Sequence, residues 1–159
     1  MRIRDATEQD AAAACKILRR SIVDLCVADH HGDPRILTAW LGNKTPQNVL
    51  GWIERPDSSL LVAVNDAGAI LAVGSVTDAG EINLNYVSPE ARFRGISRAM
   101  LKALEDRATA RGAACCVLTS TQTARRFYLR AGYAEDAPAI VEFGVLGHPM
   151  SKHLAADRL

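Results

Sequence analysis

The sequence predicts one mixed α/β domain over residues 1–159, built on a central mixed, mostly antiparallel sheet of six or seven strands with helices on both faces. Three observations predict it. Apolar residues recur at helical spacing early in the chain, β-favouring runs separated by tight turns follow, and strand-like and helix-like segments alternate in the last part. A meander followed by strand-helix-strand connections makes a sheet of mixed direction, and helices must cover both its faces. At this length a single core buries roughly 70% of the surface the unfolded chain exposes, so no metal or disulfide staple is required.

Residues 1–6 alternate weakly and predict a short strand, after which Thr7 and Asp10 have the spacing of a capping box. A helix follows, with Ala13, Ile17, Ile22 and Leu25 as its apolar positions up to Val27 and Arg19 and Arg20 turned to solvent. The run Asp29-His30-His31-Gly32-Asp33-Pro34 marks a turn. Ile36, Leu37, Trp40 and Leu41 predict a second helix, and Val49, Leu50, Trp52 and Ile53 a third. Strands are expected at 60–64 and 69–76, joined by the hairpin-type turn Asn65-Asp66-Ala67-Gly68. The next strand, 81–87, alternates: Ile82, Leu84 and Tyr86 on one side, Glu81, Asn83 and Asn85 on the other. Ile96, Met100, Leu104 and Ala108 form one face of a helix over 95–110, stopped by Gly112. A buried strand at 113–118, a short helix at 122–131 closed by Gly132, and one or two more strands, the last near 148–153, complete the order.

Nineteen basic residues against eighteen acidic ones give a net charge of +1. That balance lacks the electrostatic footprint of nucleic-acid binding and favours a small or neutral partner. Cys15, Cys26, Cys115 and Cys116 have no zinc-ligand spacing and read as reduced thiols, the adjacent pair as core residues. No window approaches the ~18 apolar residues of a membrane span, and acidic residues appear before any apolar stretch at the start. A cytoplasmic protein with no membrane partner is expected.

Between the alternating strand and the amphipathic helix lies Val87-Ser88-Pro89-Glu90-Ala91-Arg92-Phe93-Arg94-Gly95-Ile96-Ser97. A strand is delivered to a helix N-terminus, whose first N–H groups lack intrahelical acceptors and carry the positive end of the dipole. Such a turn holds an anion such as a pyrophosphate, Arg92 and Arg94 add charge, and Gly95 lets the anion approach the backbone. Plain turn geometry accounts for the glycine equally well. Neither a Walker-type loop nor a G-x-G-x-x-G run is present.

Arg92-x-x-Gly95-x-Ser97, entered from Tyr86-Val87-Ser88-Pro89-Glu90, resembles the acyl-CoA signature R/Q-x-x-G-x-G/A of the GNAT N-acetyltransferase superfamily, with Ser97 in place of the usual Gly or Ala. Ala124-x-x-Phe127-Tyr128-x-x-x-Gly132-Tyr133 is similar to its later segment, N-x-x-A-x-x-F-Y-x-x-x-G-F, with Thr121 where asparagine is common. His148-Pro149-Met150-Ser151-Lys152 resembles the closing strand, so the matches span about residues 81–153.

The resemblance implies a GNAT-like fold and an acetyl-CoA-dependent N-acetyltransferase acting on a primary amine of a small molecule or of a protein or peptide by direct attack, without a metal. It implies cofactor contacts at Arg92, Phe93, Arg94, Gly95, Ile96, Ser97 and Thr121, with main-chain contacts near Asn85 and Val87. It also implies an acceptor site shaped by the first helices, here including Asp24, Asp29, His30, His31 and Asp33, and homodimers among relatives. Acetyl transfer from a thioester needs a neutral nucleophile, a stabilised oxyanion and a proton for the departing thiolate. Tyr128 is the candidate acid, since a phenol stays protonated at neutral pH; packing of Tyr128 in a buried stripe with Ala124, Phe127 and Ala131 is the plain reading. Glu81, eleven residues before Arg92, is the candidate base; a solvated glutamate after a turn is its plain reading. His30 and His31 have no third ligand in evident spacing and read as a solvated turn. A non-catalytic acyl-CoA-binding module is the alternative function, and acetylation of an aminoacyl-tRNA would demand a basic surface beyond Arg125, Arg126 and Arg130.

Overall fold

Asn65 starts the meander: its side-chain oxygen accepts from the N–H groups of Ala67 (3.0 Å) and Ala69 (2.9 Å), and Gly68 takes the left-handed conformation that closes the turn. The turn brings β2 (Ser58–Val64) against β3 (Ile70–Thr77). In this computed structural model, which describes residues 1–155, β1 (Arg2–Asp5) and β4 (Ile82–Val87) complete a four-stranded antiparallel sheet of order β1-β2-β3-β4. A second sheet holds β5 (Cys115–Ser120), β8 (Val145–His153) and β6 (Ala134–Glu135) in that order, with β7 (Ile140–Glu142) paired to β8. The described residues thus form eight strands where six or seven are expected; the short β6 and β7, where the tail is expected to hold at most one strand before β8, show no period in sequence.

The helices are α1 (Ala11–Leu25), α2 (Val27–His30), α3 (Pro34–Leu41), α4 (Pro46–Glu54), α5 (Ile96–Ala110) and α6 (Arg125–Arg130). Thr7 and Asp10 meet as their spacing predicts, the Thr7 N–H donating to the Asp10 carboxylate at 2.7 Å. Asp33 and Thr45 cap α3 and α4, and a proline opens each helix. On one face of the first sheet Ala14, Leu18 and Val49 of α1 and α4 pack on Val62, Val73 and Leu84. Ala13, expected on this face, is exposed; Ala14 and Leu18 carry the stripe instead. On the other face Met100, Leu104 and Ala108 of α5 pack on Leu61, Ala63 and Val76. A Cβ at Gly74 would lie 2.9 Å from Leu104 and Met100, so the glycine sets how closely α5 approaches.

Two departures from expectation position the site. Ser75 pairs with Leu84 but Val76 pairs with Ile82, so Asn83 is a bulge. The bulge breaks the simple alternation: Ile82 packs toward α5, whereas Leu84 packs toward α1. Glu81 and Asn85 are therefore not on one side of the strand. The predicted strand at 113–118 is β5, shifted two residues on and buried only at alternate positions, because its outer face lines an opening rather than a core. One parallel bridge, Glu81 to Val117, joins the two sheets, with the Val117 N–H donating to the Gly80 carbonyl at 3.0 Å. Beyond it β4 and β5 part.

Candidate active site

The parting exposes main-chain groups. Ser88 N–H donates to the Leu71 carbonyl, and in an antiparallel pair residues alternate between facing the partner and facing away. The N–H and C=O groups of Asn85 and Val87 therefore point away from β3, toward β5 across the opening.

β4 continues through a short 3-10 turn, Pro89–Ala91, into the N-terminus of α5. Phe93 and Gly95 both have positive φ, 65° and 76°, and Phe93 is 89% exposed. Among the described residues no backbone carbonyl accepts from the N–H groups of Arg92 through Arg98, and the first helical bond runs from Ala99 to Gly95. A Cβ at Gly95 would meet nothing within 4 Å, so the turn is open where an anion would rest. This arrangement fits a diphosphate.

Glu90 would oppose such an anion were it free. It accepts from Ser88 Oγ at 2.6 Å and pairs with Arg20 of α1, and the Arg20 guanidinium, then Ser88, pull its carboxyl down to about 2. Arg94 donates to the Glu90 carbonyl at 3.0 Å, while Arg92 lies 4.2 Å from the Phe93 ring centroid. Ile96 points into the core and contributes only main chain to the turn; Ser97 is half-buried.

Tyr128 of α6 is 6% exposed, its ring edge-to-face with Phe127 and Tyr133 at centroid distances of 5.2 and 5.5 Å. Its hydroxyl oxygen accepts from the Asn85 amide at 3.1 Å, so the predicted acid and the predicted acyl-binding strand meet. Burial pushes the phenol up to about 12, with the Asn85 bond working against that shift. Because the amide donates, the phenolic proton is left for another acceptor.

On the α1 side the opening widens into a cleft of about 640 Å³ whose lining includes Trp40, Lys44, Trp52, Glu81, Tyr86 and Phe143. Glu81 is exposed there, its N–H accepted by Thr77 Oγ1 at 3.1 Å. It lies four residues from Asn85, roughly 13 Å along a strand, so it is not beside Tyr128. Thr121 lies in the turn before α6, its hydroxyl accepting from Ala124 N–H at 3.1 Å, and it also lines the cleft.

The acidic and histidine run at the end of α1 has a structural part in place of the expected solvated turn. Asp29 is buried and accepts from Gln122 N–H at 2.7 Å and from the Thr123 hydroxyl, anchoring the start of α6 to α2. His30 is 2% exposed: Nδ1 accepts from Gly32 N–H at 2.9 Å, which leaves Nε2 to donate toward the Ile22 and Val23 carbonyls, both at 3.0 Å. Among the described residues no group of three His, Cys, Asp or Glu side chains stands together as a metal site. The Asn85 side-chain bond to Tyr128 and the burial of Lys44, only 6% exposed, were not foreseen; neither has a signature in local sequence.

The family model described as acetyltransferase (GNAT) domain matches residues 33–154. No curated protein matches the sequence significantly. Among solved structures, the fold is similar to that of a GCN5-related N-acetyltransferase from Rhodopseudomonas palustris, at 23% identity and a TM-score of 0.85 over 96% of this chain and 95% of that one. It is similar to PaiA N-acetyltransferase from Thermoplasma acidophilum, solved with coenzyme A, at 19% identity and a TM-score of 0.80 over 96% and 98%. A ribosomal-protein-alanine N-acetyltransferase from Brucella melitensis aligns at 23% identity and a TM-score of 0.75 over 97% and 100%.

Proposed function

The chain belongs to the GNAT acetyltransferase family, and from that premise we propose that it transfers an acetyl group from acetyl-CoA to a primary amine by direct attack. The observation that carries this reading is the run of unpaired N–H groups from Arg92 to Arg98 at the head of α5, beside the main-chain groups of Asn85 and Val87. The diphosphate of acetyl-CoA rests on the turn, with Arg92 close by, and the thioester lies along β4. Coenzyme A in the PaiA neighbour supports the donor.

The amine enters from the cleft on the α1 side, and its nitrogen attacks the thioester carbon. Main-chain N–H groups of the open β4 edge stabilise the oxyanion that develops. As the carbon–sulfur bond breaks, the Tyr128 hydroxyl donates to the sulfur. With the phenol near 12, it stabilises the thiolate by a charge-assisted hydrogen bond more than by complete proton transfer. Glu81 takes the amine's proton through water, since its position in the cleft is separated from Asn85 along the strand. The products are an acetamide and free coenzyme A.

The test has two arms. Calorimetric titration with coenzyme A is expected to give saturable binding, and a panel of primary amines is expected to release free thiol from acetyl-CoA. Binding without thiol release from any amine would favour a non-catalytic acyl-CoA-binding module, and no binding would overturn the reading.

A further inference from the structure

Lys44 occupies the turn between α3 and α4, and only 6% of it is exposed. Its backbone is held tightly: the N–H donates to the Leu41 carbonyl at 3.0 Å, and its own carbonyl accepts from Arg19 Nη1 at 2.9 Å and Cys15 Sγ at 3.2 Å. Arg19 also donates to the Leu41 carbonyl at 3.0 Å, so one guanidinium from α1 clamps both ends of the turn. The ammonium at the tip is not held in this way. Among the described residues it has no hydrogen-bond acceptor and no carboxylate within ion-pair distance; its nearest marked feature is the face of the Phe143 ring, 5.8 Å from Nζ to centroid. Both residues line the cleft.

The stem of Lys44 is buried while its unpartnered ammonium stays open to the solvent of the cleft, since among the described residues no buried side-chain nitrogen lacks a hydrogen bond. Burial lowers its pKa, and Glu142 opposes that shift only at longer range. The other cation of the lining, Arg55, is half-exposed and already paired with Asp57 at 3.3 Å. One uncommitted positive charge thus faces the cleft, together with the carboxylates of Glu81, Asp136 and Glu142 and the aromatic walls Trp40, Trp52 and Tyr86. The three carboxylates disfavour a ligand of net negative charge, a dianion such as a phosphate most of all, and suit a zwitterion whose ammonium faces them while its carboxylate meets Lys44.

We propose that Lys44 is the counter-ion for a carboxylate on the acceptor, so that the substrates of this cleft are amines that also carry a carboxylate, α-amino acids being the simplest class. The proposal rests on the acetyltransferase reading for the fate of the amine, but not for the binding of the carboxylate. The cleft volume of about 640 Å³ accommodates an amino acid, and the clamp by Arg19 fixes the backbone of the turn from which the Lys44 side chain reaches the cleft.

The experiment compares L-α-amino acids with their carboxamides, which keep the amine and lose the charge. Thiol release from acetyl-CoA and the shift in melting temperature are read for the wild type, Lys44→Gln, Lys44→Met and Lys44→Arg. In the wild type the acid is expected to exceed its carboxamide about 10- to 100-fold in kcat/KM, as for a hydrogen bond to a charged group. That ratio falls toward one in Lys44→Gln and Lys44→Met and is partly kept in Lys44→Arg. A wild type with no preference for the acid would overturn the proposal. So would a Lys44→Gln or Lys44→Met protein that slows acid and carboxamide equally, because Lys44 would then act as a proton acceptor or a structural group. If no thiol is released at all but the acid stabilises the wild type and not Lys44→Gln, the carboxylate site stands and the acetyltransferase reading falls. Absence of both thiol release and acid-dependent stabilisation overturns the proposal, and coenzyme A titration of the same samples reports separately on the donor site.

Discussion

Tyr128→Phe removes one oxygen and leaves the buried ring in place between Phe127 and Tyr133. Two consequences follow from the geometry. The departing thiolate loses a donor, and a hydrogen bond to a charged partner contributes about 1.5–3 kcal/mol, or roughly a 10- to 150-fold fall in the chemical step. The Asn85 amide loses its acceptor at the same time; because Asn85 is only half-buried, water takes over part of that role and the stability cost is about 1 kcal/mol. Coenzyme A affinity should hardly change, since the diphosphate turn lies elsewhere. The assay is continuous thiol release at saturating acetyl-CoA, with calorimetric affinity and urea unfolding measured alongside. Asn85→Ala completes a double-mutant cycle: if Asn85 acts by orienting the phenol, its loss costs much less once Tyr128 is Phe. With the phenol near 12, the rate should show no alkaline fall attributable to Tyr128 up to about pH 10. Unchanged turnover in Tyr128→Phe, or an alkaline fall near pH 9 to 10 that disappears in that variant, would refute the acid role.

Glu81→Gln should lower turnover about 10- to 100-fold near neutrality and recover as pH rises and the free amine supplies itself, as read from pH–rate profiles; an unchanged neutral rate contradicts the base assignment. Gly80→Ala places a Cβ 2.1 Å from the Cys115 carbonyl oxygen at a φ of +94°, so urea unfolding should show a loss of more than about 2 kcal/mol at the junction of the two sheets. Asp10 is held down to about 2, chiefly by the hydrogen bond from Arg4, with the Thr7 N–H assisting. Its folded pKa lies below its unfolded one, so its contribution is full above about pH 4 and is lost as pH falls toward 2. Allowing for solvent at this partly exposed pair, Asp10→Asn should cost about 1 kcal/mol at pH 6 and nearly nothing at pH 2 by chemical denaturation.

Features whose cause is local could be read from the sequence. The Asn65 turn, the capping pair Thr7 and Asp10, and the stripe of Ile96, Met100, Leu104 and Ala108 each depend on residues within one element. The open turn at the head of α5 belongs with them, because its residues are contiguous. Features that depend on register or on distant partners were hidden. The bulge at Asn83 arises from the pairing of β4 with β3 and reverses which face Glu81 shares. Asp29 reads as a free carboxylate until α6, more than ninety residues later, supplies the Gln122 and Thr123 donors. The burial of Lys44 has no local signal, because it depends on Arg19 pinning its turn to α1 and on Phe143 of the β7–β8 connection lying beside the side chain.

If the free amides at the head of α5 hold the diphosphate of coenzyme A, those amides must respond to it more than any others. Amide chemical shifts followed during titration with coenzyme A read each of them separately. The largest saturable changes should fall on Arg92 through Arg98, with smaller ones at Asn85 and Val87. Saturation with those resonances unmoved, or no response anywhere in the folded protein, would contradict it.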